Sequence, residues 1–182
     1  MGAYMPMATT DRHNEIITAL IIKLGSLIEK KEVSVWREEC LLVHYGKRTL
    51  PESVSLVDID KLKDVESFIE SMGELYCVQP DLMLFKQNGF IKNKKRTRTA
   101  GFPDLVVEIW SESNDENEQA FKKLLYSTSP KTEHWHIAQD SNDVVCFLGE
   151  NVLPKQSLTD ILRTQNGIEL DLRYMAINEG LG

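Results

Sequence analysis

Cysteine is scarce and scattered. Cys40, Cys77 and Cys146 are the only three in 182 residues, and no two form a CxxC pair. That argues against a disulfide frame and a cysteine zinc site, and leaves three reduced thiols best used as small buried apolar side chains. No apolar run reaches the length that spans a bilayer, so no membrane segment is expected. Met1 to Thr10 lacks the basic start and long apolar stretch of a secretory signal, and the expected location is the cytoplasm. Basic charge is also short: 21 Lys and Arg against 28 Asp and Glu leave a formal net charge of −7. This argues against a generally basic nucleic-acid coat, but a local basic surface stays open because binding depends on where charges sit. Internal repeats and low-complexity tracts are absent, and the length fits one domain, 1–182, with a real core.

What is present is a clear run of alternating patterns. Ile16, Ile17, Leu20, Leu24, Leu27 and Ile28 keep the helical period over 11–31, with Asp11 placed as N-cap. The β-branched and aromatic stretch 33–45 predicts one or two strands, 46–58 a loop, and 60–72 a second helix closed by Gly73. The stretches 75–85 and 102–110 are apolar on successive positions, which marks strands covered on both faces. A helix over 115–128, strands at 133–138 and 144–148 about a turn at 140–143, a short helix after Ser157 and a strand over 168–174 complete the reading. The order predicts an α/β fold with a mixed central β-sheet flanked by helices.

Two acid-bearing phrases stand out on the apolar strands, Gln79-Pro80-Asp81-Leu82 and Pro103-Asp104-Leu105-Val106-Val107-Glu108. Acids are rarely buried unless something pairs with them. If the two strands form an antiparallel hairpin, Asp81 comes opposite Glu108 and Phe85 opposite Asp104, with opposed β-carbons about 4.5–5.5 Å apart on one face. Carboxylates that close repel unless a proton or cation intervenes, and an open oxygen-rich site suits Mg²⁺ or Mn²⁺. Asp104 lies four residues from Glu108, roughly 13 Å along the strand, too far to share an ion. Its expected role is to bond local backbone amides at the strand entry. On the following helix Phe121, Leu124 and Leu125 define the expected buried stripe. Lys122 lies at its edge beside Glu118 and Tyr126 and can reach the acids, whereas Lys123 points away. Two acids and a lysine meeting on one sheet read as a metal-dependent phosphodiester site. The competing reading is strand-end polar residues and a surface lysine in solvent.

These residues resemble the Uma-two family of restriction-endonuclease-like proteins, within the PD-(D/E)xK nuclease superfamily. The matching positions are Pro80-Asp81, Pro103-Asp104-Leu105-Val106-Val107-Glu108 with Ser111, then Lys122, Tyr126 and Trp135, with a looser match from His13. The resemblance implies a restriction-endonuclease-like core and a divalent-metal-dependent endonuclease acting on DNA. Asp81, Glu108 and Lys122 would be catalytic, with Asp81 and Glu108 holding Mg²⁺ or Mn²⁺. The lysine that the superfamily usually carries two residues after the second acid is Trp110 here, and Lys122 on the helix stands in the Uma-two position. Glu118 and Ala138 stand where the family usually has Asp. A homodimer would suit paired cuts of two strands. The alternative class is a weakly active or inactive nuclease-fold module that binds nucleic acid or protein.

Other features have plainer readings. The basic run Lys92, Lys94, Lys95, Arg96 and Arg98 offers either phosphate-backbone contact or a solvated loop tip. Gln119 is a minor site candidate on the helix, and Ser111 is placed to cap the next turn without a nucleophile elbow. His13, His44, His134 and His136 lack zinc-like spacing. His134 and His136 alternate around Trp135 in a pattern that favours packing or surface.

Overall fold

A computed structural model describes residues 11–37, 40–44, 75–86, 90–92, 98–101, 103–111 and 114–177. The first helix, α1, covers Asp11–Glu29 and buries His13, Ile16, Ile17, Ala19, Leu20 and Leu24 on one side. Asp11 is its first helical residue rather than the expected N-cap, and there its carboxylate favours the positive end of the helix dipole. The helix closes at Lys31, whose φ is 59°, while the Glu32 amide donates to the Leu27 carbonyl at 2.9 Å. This left-handed reversal feeds the chain straight into the sheet.

The strands in chain order are β1 Val33–Arg37, β2 Cys40–His44, β3 Leu75–Val78, β4 Leu82–Lys86, β5 Phe90–Lys92, β6 Arg98–Gly101 and β7 Leu105–Trp110. Helix α2, Glu116–Ser127, follows. Then come β8 Glu133–Ala138, β9 Asp143–Leu148, β10 Asn151–Val152, β11 Gln156–Ser157, β12 Ile161–Arg163, β13 Glu169–Asp171 and a 3-10 turn, Arg173–Met175. The larger sheet runs β1-β4-β7-β8-β9-β10, with β11 also on β9. Only β7 and β8 are parallel within it, so the sheet is mixed as expected. A smaller sheet runs β3-β2-β6-β5.

Three expectations change. The stretch 75–85 is not one strand: it breaks at Gln79-Pro80-Asp81, sending β3 to the smaller sheet and β4 to the larger. Pro80 has no N–H for a ladder and favours such a break. The short helix expected after Ser157 is a turn between short strands. There Ser157 Oγ accepts from the Thr159 amide at 3.2 Å and the Asp160 amide bonds the Ser157 carbonyl, local bonds that compete with a helix. The stretch 168–174 is a strand only over Glu169–Asp171 before the 3-10 turn. The loop 46–58, the helix 60–72 and the centre of the basic run, 93–97, lie outside the described residues.

The sheet separates two apolar layers by strand parity. Leu82, Leu84, Leu105, Val107, Ile109, Trp135, Ile137, Val144 and Cys146 face α1 and the C-terminal segment. Met83, Phe85 and Val106 face Leu125 and Tyr126 of α2. Strands β4 and β7 are buried at nearly every position, as the unbroken apolar runs require.

On the α2 face, His134 and His136 are packed rather than exposed. His134 stacks on Phe147 with centroids 4.7 Å apart, and one imidazole nitrogen lies 3.1 Å from the Gly149 carbonyl oxygen. Burial lowers their pKa values to about 4 and about 3. Because these folded values lie below the unfolded one, the unfolded chain binds protons first. Their stabilising contribution is present above about pH 6.5 and is lost as pH falls toward 4 and 3. Thermal melts are expected to show Tm falling on acidification below pH 6.5. His134→Phe keeps the stacked ring and should flatten that slope by about one proton; an unchanged slope would contradict the assignment.

Candidate functional site

Strands β4 and β7 pair antiparallel with Leu82 opposite Val107, Met83 opposite Val106 and Leu84 opposite Leu105. Continued by one position, this register puts Asp81 opposite Glu108, at the point where β4 begins and the chain has just left the other sheet. The ladder stops at Leu82. The Ile109 amide beyond it is satisfied by a side chain instead, donating to Asp81 Oδ2 at 2.7 Å. The other Asp81 oxygen, Oδ1, lies 3.0 Å from His13 Nε2 on α1. The break at Pro80 thus turns a strand residue into a carboxylate fixed by both sheet and helix.

Glu108 shares the α2 face of β7 with Val106, and its side chain is 1% exposed. Both its oxygens are engaged by α2. Tyr126 donates its hydroxyl to Oε1 at 2.5 Å and Lys122 donates Nζ to Oε2 at 2.9 Å. Lys122 and Tyr126 are one helical turn apart, so one helix face presents both. The helix starts where it does because Asp115 caps it, accepting from the Asn117 and Glu118 amides. Ser111 is not that cap; it forms a turn with Asn114, whose Oδ1 accepts from the Ser111 amide at 2.7 Å. Lys122 Nζ also donates to the Gln79 carbonyl at 3.3 Å and lies 3.7 Å from Glu118. The amine therefore bridges the strand break, the buried acid and its own helix.

The charges explain one another. Burial, reinforced by the nearby Asp81 charge, raises the Glu108 pKa to about 7, although Lys122 and the Tyr126 hydroxyl pull it down. Burial acts to lower Lys122, but Glu108, Asp81 and Glu118 outweigh it, and its pKa stands raised. Tyr126 is pushed well up by burial and by Glu108, so its hydroxyl stays a donor. With Glu108 ionised, the Asp81, Glu108 and Lys122 group carries one net negative charge.

Of the residues singled out by sequence, Asp81, Glu108 and Lys122 gather here. Asp104 does not: its Oδ2 accepts from the Lys86 amide at 2.6 Å at the far end of the strand pair. Lys123 sits elsewhere, with Nζ 4.2 Å above the Phe147 ring. The expected α2 stripe is shifted, since Phe121 and Leu124 are 42% and 47% exposed while Leu125 and Tyr126 are buried. A helix that pairs two polar side chains with a buried acid must turn that flank inward. Sequence reasoning left two partners out of the site. Tyr126 is expected only on the flank of Lys122, with no role of its own, yet its hydroxyl bonds Glu108. His13 is an imidazole on the otherwise apolar α1 stripe, three residues before Ile16, and that placement was the available signal.

No helix among the described residues is long and apolar enough to cross a membrane. No curated protein matches the chain. Among solved structures it is similar to the crystal structure of "a putative nuclease belonging to DUF820" from Anabaena variabilis ATCC 29413. The TM-score is 0.61 at 12% identity, over 93% of this chain and 84% of that one. The shared fold is the restriction-endonuclease-like α/β core. The profile of the Uma2 family, described as "Putative restriction endonuclease", matches residues 69–176, which include Asp81, Glu108 and Lys122. By that match over more than half its length, the chain belongs to the Uma2 family.

Proposed function

We propose that this chain is a cytoplasmic, divalent-metal-dependent endonuclease that hydrolyses DNA phosphodiester bonds. In this reading Asp81 and Glu108 hold Mg²⁺ or Mn²⁺, and Lys122 is the catalytic cation. The observation that carries it is the fully buried Glu108 clasped by Lys122, one strand away from Asp81.

The donor chemistry fits such an ion. Each carboxylate oxygen keeps a second lone pair after the single bond described above. Mg²⁺ commonly takes one or two protein carboxylates, with waters and substrate phosphate completing its shell. No group of three or more His, Cys, Asp or Glu side chains able to hold a metal occurs among the described residues. When bound, the ion supplies Lewis-acid polarisation of the scissile phosphate.

The rest of the work falls to side chains. His13 and the Ile109 amide orient Asp81, and Tyr126 orients Glu108. Lys122, held at the mouth by the Gln79 carbonyl, offsets negative charge that grows on the pentavalent transition state. A bulk water can protonate the leaving alkoxide. Paired cuts in a duplex would take a second copy of the chain. The rival, a nuclease-fold module without turnover, draws on Trp110 standing where the superfamily carries its lysine.

Cleavage of plasmid or single-stranded DNA in Mg²⁺ or Mn²⁺ separates the two. Lys122→Met should lower kcat by about 10²–10³-fold, the usual effect of losing one transition-state charge partner. Mn²⁺ binding should persist, because the carboxylates remain. Full activity in that variant, or no cleavage by the wild type, would count against this reading.

A further inference from the structure

The ring cluster beside Glu108 has no part in the chemistry above. Trp110 ends β7, two residues after Glu108. Alternate strand residues share a face, so the indole rises beside Glu108, about 6.5–7 Å along the strand. It packs on His136 with ring centroids 3.9 Å apart. His136 in turn meets Phe147 at 5.2 Å and His134 at 5.4 Å, and His134 lies flat on Phe147. The three inner rings are buried, and Trp110 is half-buried. A cluster of mostly tilted rings thus ends in one indole that keeps surface in solvent near Glu108.

We infer that Trp110 is a stacking platform for an unpaired nucleobase next to the scissile phosphate, so that this site takes single-stranded DNA in preference to intact duplex. The inference rests on the nuclease reading and deepens it. Three physical points support it. An aromatic face can take a base only when that base is out of its duplex stack. The distance from Glu108 to the indole is about the reach of one nucleotide. Stacking contributes affinity that salt does not screen, and it adds to whatever phosphate contacts a chain of net charge −7 makes. His136 behind the indole holds the ring in place before a base arrives.

Fluorescence anisotropy of labelled oligothymidylate and of a closed hairpin duplex, both in EDTA, tests this without any metal chemistry. Wild type should bind the single strand more tightly. Trp110→Leu should weaken that binding about 5- to 150-fold, as loss of one base stack does, and Trp110→Phe should fall between. Duplex affinity should change less than about twofold, and the salt slope should stay the same for both ligands. Equal single-strand binding in Trp110→Leu, a parallel loss for duplex, or no wild-type preference for the single strand overturns the inference. The two readings fail separately. Stacking without Mn²⁺-dependent cleavage sinks only the nuclease proposal, and cleavage with an indifferent Trp110→Leu sinks only the platform.

Discussion

Glu108→Gln is expected to lower metal-dependent DNA cleavage by about 10³-fold or more, and to remove any rise in melting temperature caused by Mn²⁺. Several kcal/mol of transition-state stabilisation depend on the ion this carboxylate would hold, and about 4 kcal/mol is already a thousandfold. The substitution keeps shape and leaves Tyr126 an oxygen to donate to. Lys122 loses its closest anion but keeps the Gln79 carbonyl and Glu118. Folding should not suffer at high pH. The folded pKa of about 7 lies above the unfolded carboxyl value, so Glu108 stabilises below about pH 4.5 and that contribution is lost as pH rises through 7. At pH 8 the ionised acid is a net strain on the fold that the neutral amide removes. The metal-free variant should therefore melt at or above the wild-type temperature at pH 8 while being inactive. A variant that cuts like wild type, or one that has simply unfolded, would contradict this account.

The second large effect is on the fold. Trp135 is 0% exposed at the centre of the α1-side core, and its indole N–H donates to Glu133 Oε1 at 2.6 Å. Trp135→Ala should cost about 3–5 kcal/mol from lost burial and the cavity left behind. It also strips one of two described hydrogen bonds from a buried acid whose pKa burial already raises, the other coming from the Gln165 amide. For a chain of this size the loss corresponds to a Tm drop of about 6–20 °C. Trp135→Phe should lose less volume and still release the Glu133 oxygen, giving an intermediate value. Urea or thermal unfolding measures both. A change below about 1 kcal/mol for the alanine variant would mean the core is not packed as described. Cleavage below the lowered Tm should persist, because Glu108 and its partners Lys122 and Tyr126 lie on the α2 side of the sheet, away from Trp135.

The site was more legible in the sequence than its surroundings. The register that leads to Asp81 against Glu108 follows from two apolar strands with a connection between them, and the pairing of β4 with β7 runs to the position just before it, Leu82 against Val107, even though β5 and β6 join the other sheet. Helical spacing likewise placed Lys122, Glu118 and Tyr126 on one flank. The break at Pro80 was harder to read. Residues 75–85 have strand composition throughout, and only the choice of neighbours divides them, β2 for one half and β1 with β7 for the other. The Tyr126 hydroxyl and His13 were missed because pattern reading sorts side chains by hydrophobicity, and both are mainly apolar surfaces with one polar atom. The tail from Ser157 misled because its spacing of apolar residues fits helix and short strands equally. Local serine and threonine bonds decided between them.

The central claim is that Asp81 and Glu108 share one divalent cation. Calorimetric titration of Mn²⁺ into the wild type and Glu108→Gln, at pH 8 and pH 6, tests it most directly. The account predicts binding to the wild type that weakens toward about tenfold per pH unit below 7, since the Glu108 proton must leave, and none to the variant. Binding that ignores pH, or that survives unchanged in Glu108→Gln, would contradict it.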